Sequence, residues 1–189
     1  STALANAGDL ADWLSIPTDG LYNFSPAVRP VPIEVRIEGF PGAHYCPRMA
    51  SMNKPMYQHI CTLSQRKPTL VFVSSRRQTR LTAEAMIALD NLHCGGLGST
   101  WIPEDVGEGV IEAAVVSVTD VHLKHCLSFG VGLHHAGLSA ADKAIVERLF
   151  LSRSILLLVA TGTLAWGINL PAYLVIIKGT EYFDAHRQH

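Results

Sequence analysis

No Cys-x-x-Cys pair occurs among Cys46, Cys61, Cys94 and Cys126. A chain of 189 residues also needs no disulfide staples. Reduced thiols in a nuclear or cytosolic compartment are therefore expected. An excess of one charge is missing too: the formal net charge is −1, which excludes a global pull toward nucleic acid. Any anion site must then be a local patch. No apolar run approaches the roughly 20 residues of a membrane span, and no basic, apolar leader opens the chain. No lysine follows a glycine, so there is no phosphate loop of the Gly-x-x-x-x-Gly-Lys type, and no Asp-Glu pair follows an apolar strand to hold magnesium. The set His122-x-x-His125-Cys126 lacks a fourth metal ligand at a fitting distance and reads as a helix face. No metal site is expected. The stretch CGGLG follows no strand, so it reads as loop and not as half of a dinucleotide fingerprint.

What is present is a packing composition, 48% hydrophobic and 16% charged. Asp9 followed by LADWL predicts a short helix with an aspartate cap. The proline-bearing stretch 17–32 reads as loop. In VPIEVRIEGF, Val31, Ile33, Val35 and Ile37 alternate with Glu34, Arg36 and Glu38, which predicts a half-buried strand. Residues 39–54 read as irregular and Tyr57 to Leu63 as a short helix. TLVFV, Thr69 to Val73, is a strand covered on both faces. A helix then runs to about Leu89, with Ser75 and Gln78 spaced as a capping box. The Gly-rich segment Asn91 to Gly109 should be loop, and Glu112 to Cys126 helix. LSFGVGL, ILLLVA and YLVII supply three more buried strands, and Ser139 with Asp142 caps a helix carrying Ile145, Leu149 and Phe150 on one face. Alternating strands and helices predict an α/β fold, a mostly parallel sheet with helices on both faces. Ligands of such sheets sit beyond the carboxyl ends of the strands.

Three strands end in polar, glycine-containing turns. TLVFV leads to Ser74-Ser75-Arg76-Arg77, LSFGVGL to His134-His135-Ala136-Gly137, and ILLLVA to Thr161-Gly162-Thr163. In a parallel sheet all three open on one edge. Arg76 and Arg77 fall in the first helical turn, where the macrodipole already places positive charge, and an arriving anion would offset that cost. The alternative is that both arginines fan into water or pair with a carboxylate. Thr161 and Thr163 hydroxyls beside a tight glycine turn suit a phosphate oxygen, and Asn169 suits a hydroxyl or base edge. The alternative is an ordinary N-cap at Thr161. His134 and His135 beside Asp142 could suggest acid–base chemistry, but no nucleophile stands in a fitting turn.

Together these turns resemble the second RecA-like domain of superfamily 2 helicases. LVFVSSRRQT, GVGLHHAGL, VATGTLAWGINLPA and VIIKGTEYFD are similar to that domain's motifs in order, and STA at Ser1 to Ala3 to the motif that couples it to the first domain. TLAWGINLPA points to large helicases with Sec-type units, the spliceosomal U5 helicase and the helicase subunit of the activating signal cointegrator complex among them. GFPGAHYCPRMASMNKP and IIKGTEYFD look most like the carboxyl-terminal cassette of the latter. The resemblance implies a linker tail over 1–24 and a second RecA-like domain over 25–189. It implies nucleic-acid contacts at Ser74, Ser75, Arg76, Arg77, His135, Gly137, Thr161 and Thr163. Gly167 and Asn169 would face a nucleotide held between two domains, Ser1 and Thr2 would couple them, and Trp166 would serve packing. Implied cofactors are ATP and Mg2+, held mostly by a first domain; implied partners are single-stranded RNA or DNA, that first domain and complex subunits, with no membrane. The full protein would unwind RNA or DNA in the 3′-to-5′ direction; a catalytically silent binding module is the other reading. The opening STALANA and the closing EYFDAHRQH have the look of a piece of a longer chain, ending before the family's arginine-bearing motif.

Overall fold

The computed structural model describes residues 6–94, 101–166 and 169–180, apart from the side chains of Pro26, Cys94, Ala165 and Trp166. The chain divides into two compact units, Ser1–Gly39 and Phe40–His189. The first holds helix α1 (Ala7–Trp13) and two short 3-10 turns at Thr18–Gly20 and Pro26–Val28. α1 starts at Ala7, so Asp9 lies within its first turn and complements the helix dipole instead of capping it. The predicted strand over 31–38 does not form. The segment pairs with no strand among the described residues, and both sets of side chains face water, Ile37 at 92% exposure. Alternation specifies a strand only when a neighbour supplies hydrogen bonds and a face to cover.

In the second unit, α2 (Tyr45–Ser51) forms where irregular chain was expected. Pro47 falls in its first turn, where a missing N–H costs nothing, so the proline opens the helix instead of breaking it. α3 (Asn53–Leu63) buries Met56, Tyr57 and Ile60, a spacing that puts all three on one face. Four strands follow: β1 (Thr69–Val73), β2 (Val131–His134), β3 (Leu157–Thr161) and β4 (Leu174–Ile177). All pairings are parallel, in the order β2-β3-β1-β4.

Helices α4 (Arg76–Cys94) and α7 (Ala140–Leu151) cover opposite faces. Gly132, Leu158, Leu70 and Val175 form one row across the sheet, and a Cβ on Gly132 would meet Val146 of α7 at 3.0 Å. The alternate row leads through Ile176 toward Lys178, whose Nζ donates to Thr82 of α4 at 2.8 Å. β4 departs from expectation: Val175 and Ile177 are half or more exposed, as fits a strand paired only with β1 among the described residues. α4 runs five residues past Leu89, through Cys94, and Trp101 beyond it is buried in the core, edge-on to Tyr57.

The single helix expected over 112–126 is two, α5 (Val110–Ser117) and α6 (Val121–Leu127). The break has a cause in α7. The buried Asp142 carboxylate accepts from Thr119 N–H (2.9 Å), Thr119 Oγ1 (2.7 Å) and Asp120 N–H (3.2 Å). Those amides are thereby drawn out of any helix, and Asp120 then caps α6 by accepting from Leu123 N–H at 2.9 Å. Ser139 caps α7 as expected, accepting from Asp142 N–H at 3.0 Å. At Gly130, φ is +74° and a Cβ would lie 2.7 Å from the Trp101 carbonyl carbon, so only glycine fits.

Candidate nucleic-acid interface

Parallel pairing decides the geometry of the strand-end turns. Val73 is level with Thr161, and Ala160 is level with both Phe72 and His134. The turns after β1, β2 and β3 therefore open side by side on the carboxyl edge of the sheet. Ser75, Arg76, Arg77, Gly137 and Thr163 are exposed there, and Ser74, His135 and Thr161 half-buried. Buried Leu138 and Leu164 pin the second and third turns to the core.

The first two turns touch. A Cβ built on Gly137 would meet Arg76 Nη1 at 2.9 Å and Cζ at 3.2 Å, so the guanidinium lies against the bare glycine. At the head of α4, Gln78 N–H donates to Ser75 Oγ at 3.3 Å, half of the expected capping box, and no acidic residue occupies the first turn. In the second turn, Lys143 Nζ donates to Ala136 O at 3.5 Å and Leu138 N–H to His135 O at 3.2 Å. Burial pushes the His135 imidazole below its ordinary value. Asp120 pulls it back up, while Arg76, His134 and Lys143 push it down. A local cationic patch thus exists within a chain of net charge −1.

Four details differ from what the sequence suggests. The backbone N–H of Gly137, a residue expected to contact the strand, donates to His135 Nδ1 at 3.1 Å. The Thr161 and Thr163 hydroxyls bond each other at 3.0 Å, because two side chains on a single tight turn are each other's nearest partners. Ser74 Oγ is taken by the Tyr45 hydroxyl of α2, a neighbour in a stretch read as irregular. His134 is no part of the exposed turn; it is buried and bonded through Nε2 to Glu147 of α7 at 2.8 Å.

At a fourth strand end, within the motif VIIKGTEYFD, sequence reasoning singled out no site residue. β4 leads to Lys178-Gly179-Thr180, and the Lys178 amide continues the ladder by donating to Phe72 O at 2.9 Å. Lys178 Nζ is buried between Asn53 Oδ1 (2.5 Å) and Thr82 Oγ1 (2.8 Å), and burial lowers its pKa to about 8. The signal was the same as at the other turns, an apolar run entering a polar residue and glycine. Of the remaining expected site residues, Asn169 is exposed, whereas Gly167, Ser1 and Thr2 lie outside the described residues. Among the described residues no cluster of three or more His, Cys, Asp or Glu could hold a metal ion, and no helix is long and apolar enough to cross a membrane.

Comparison with known proteins agrees with this fold. No family model matches the chain. It is 59% identical to the DExH-box ATP-dependent RNA helicase DExH14 of Arabidopsis thaliana, and 58% to activating signal cointegrator 1 complex subunit 3 of Homo sapiens. The Danio rerio form of the latter is 56% identical. Each match covers 97% of this chain, which spans 8% of the length of the first two proteins and 12% of the third. Over nearly its whole length the chain is a close homologue of one segment of activating signal cointegrator 1 complex subunit 3 and of DExH14, and its parallel sheet with helices is a RecA-like fold.

Proposed function

We propose that this segment is the nucleic-acid-tracking half of an ATP-dependent helicase, a second RecA-like domain that holds the phosphates of a single strand along its carboxyl edge. One observation carries the reading. Three sequence-distant turns lie on one edge, and two of them are joined by Arg76 resting on Gly137. Phosphates suit that edge because a helix amino end, a guanidinium and hydroxyls converge there. None of these turns carries paired amide or arginine geometry for base edges, so recognition is of backbone and not of sequence. RNA is the proposed strand, after the activity named for the plant relative, and the proposed direction for the full protein is 3′ to 5′.

ATP and Mg2+ would be held mostly by a first domain elsewhere in the full protein. The donors present here fit one wall only, with Asn169 and Gly167 facing the nucleotide. Ser1 and Thr2 would lie in the coupling segment, and the full protein would act in the nucleus or cytosol with other complex subunits. A bound nucleotide would supply the energy of strand movement, and this chain's own residues would grip and release phosphate.

The test is the salt dependence of binding to single-stranded oligouridine. With about two or three phosphates engaged, the log–log slope should be about −1.4 to −2.1. Arg76→Ala should flatten it, whereas Thr161→Val should weaken binding and leave the slope alone. Binding that is independent of salt, or tighter to one base sequence than another, sinks the reading.

A further inference from the structure

The Gly137 amide is already occupied. Its N–H donates to His135 Nδ1 at 3.1 Å, and the same ring nitrogen lies 3.2 Å from where a Gly137 Cβ would be. An acceptor two residues back that folds over its own turn is what Asn and Asp do in tight turns. Here an imidazole does it, and an imidazole accepts at Nδ1 only while that nitrogen is unprotonated.

We propose that His135 is a stand-in for phosphate: its ring fills the Gly137 N–H in the free protein and must leave when a phosphate oxygen arrives, so proton uptake by the ring opens the site. This rests on the tracking role proposed above and adds to it a positioning residue whose protonation sets the affinity. The charged and titratable groups acting on the ring come from four elements. Arg76 comes from α4, Asp120 from the cap of α6, His134 from β2 and Lys143 from α7. With no phosphate present, burial is the main force keeping the ring unprotonated, and Arg76, His134 and Lys143 add to it against the Asp120 carboxylate. A bound phosphate shifts that balance, because a negative charge beside the ring favours its protonated form. A protonated Nδ1 can no longer accept, so the ring swings away and the Gly137 N–H comes free. Binding is then linked to proton uptake, and affinity rises as pH falls.

The experiment uses this chain with a fluorescent oligouridine, titrated from pH 8 down to pH 6 at constant salt. Wild type should bind roughly fivefold or more tightly at pH 6 than at pH 8, on the scale of one net hydrogen bond. His135→Ala should bind at pH 8 at least as well as wild type, since its Gly137 N–H is vacant, and should lose most of the pH dependence. His135→Asn keeps an acceptor for that N–H but cannot take up a proton. It should be equally flat with pH and weaker than His135→Ala. A residue of merely structural value would not order the two variants in this way. In parallel, the nitrogen–nitrogen coupling between Gly137 and His135 Nδ1, read by NMR at pH 8, should be present in free protein and vanish with oligouridine.

If His135→Ala weakens binding at pH 8 as much as Arg76→Ala does, the ring is a direct ligand and the inference is overturned. A missing coupling in a free protein that still binds oligouridine overturns this inference alone. No binding by wild type or any variant, with the coupling intact, overturns the tracking role and this inference with it.

Discussion

Replacing Asp142 by alanine should be among the most damaging single changes in the second unit. The carboxylate is 1% exposed and receives three hydrogen bonds from Thr119 and Asp120, at 2.7 to 3.2 Å. Bonds to a charged acceptor are worth about 1.5–3 kcal/mol each, and a buried donor left without a partner costs about 1–3 kcal/mol. Water will satisfy some of the three once the side chain is gone. A loss of about 3–5 kcal/mol is therefore expected, a large part of the roughly 5–15 kcal/mol of a typical domain. Asp142→Asn keeps the shape but offers one acceptor oxygen, so it should fall about midway. Urea unfolding of the three proteins, followed by circular dichroism, measures both values. Acid adds an independent check. Burial disfavours the ionised carboxylate, but the bonds from Thr119, Asp120 and Ser139 together outweigh it and hold the pKa below its ordinary value. The stabilisation is thus fully present above the unfolded value near 3.9 and is lost as pH falls through the lower, folded one. An alanine variant losing less than about 1 kcal/mol, or a wild type no more acid-sensitive than that variant, would refute the reasoning.

Lys178 should act in the opposite pH range. With its folded pKa lowered to about 8 by burial, the unfolded chain binds the extra proton between there and about 10.4, so stability to urea should rise over that window. The rise should disappear in Lys178→Met, and a flat wild-type profile would contradict the burial. Gly132→Ala should cost about 1–3 kcal/mol by overpacking, because the new methyl would meet Ile155 Cδ1 and Leu158 Cδ1 at 2.9 Å; thermal melts measure it, and an unchanged midpoint counts against such tight packing. Arg153 sits in the left-handed region (φ 59°) after α7, where Ser154 N–H reaches Leu149 O and Arg153 N–H reaches Phe150 O. Arg153→Gly should accordingly raise stability by about 0.5–1 kcal/mol in the same melts, and a loss would show that the arginine side chain contributes more than its backbone strain costs. The chain by itself should release no phosphate from ATP with oligouridine present; turnover above a no-protein control that Thr161→Ala abolishes would mean a complete site exists here.

Sequence alone determined the parallel sheet, because TLVFV, GVGL and ILLLVA are apolar on both faces and alternate with capped helices. It also determined that three of those strands end in small or hydroxyl residues, which parallel strands must deliver to one edge. Local chemistry suffices for such features: side-chain period, capping spacing and turn residues act within a few positions of themselves. Where that logic stood alone it failed, as at residues 31–38, where a strand pattern found no strand to pair with. Only tertiary structure broke the helix at Thr119, since the carboxylate responsible lies 23 residues away in sequence. It also buried Lys178 between α3 and α4 and seated the Arg76 guanidinium on Gly137. And the Gly137 N–H, open for an anion by every local rule, is closed by His135, because whether a donor is free depends on which acceptors the folded turn brings within reach.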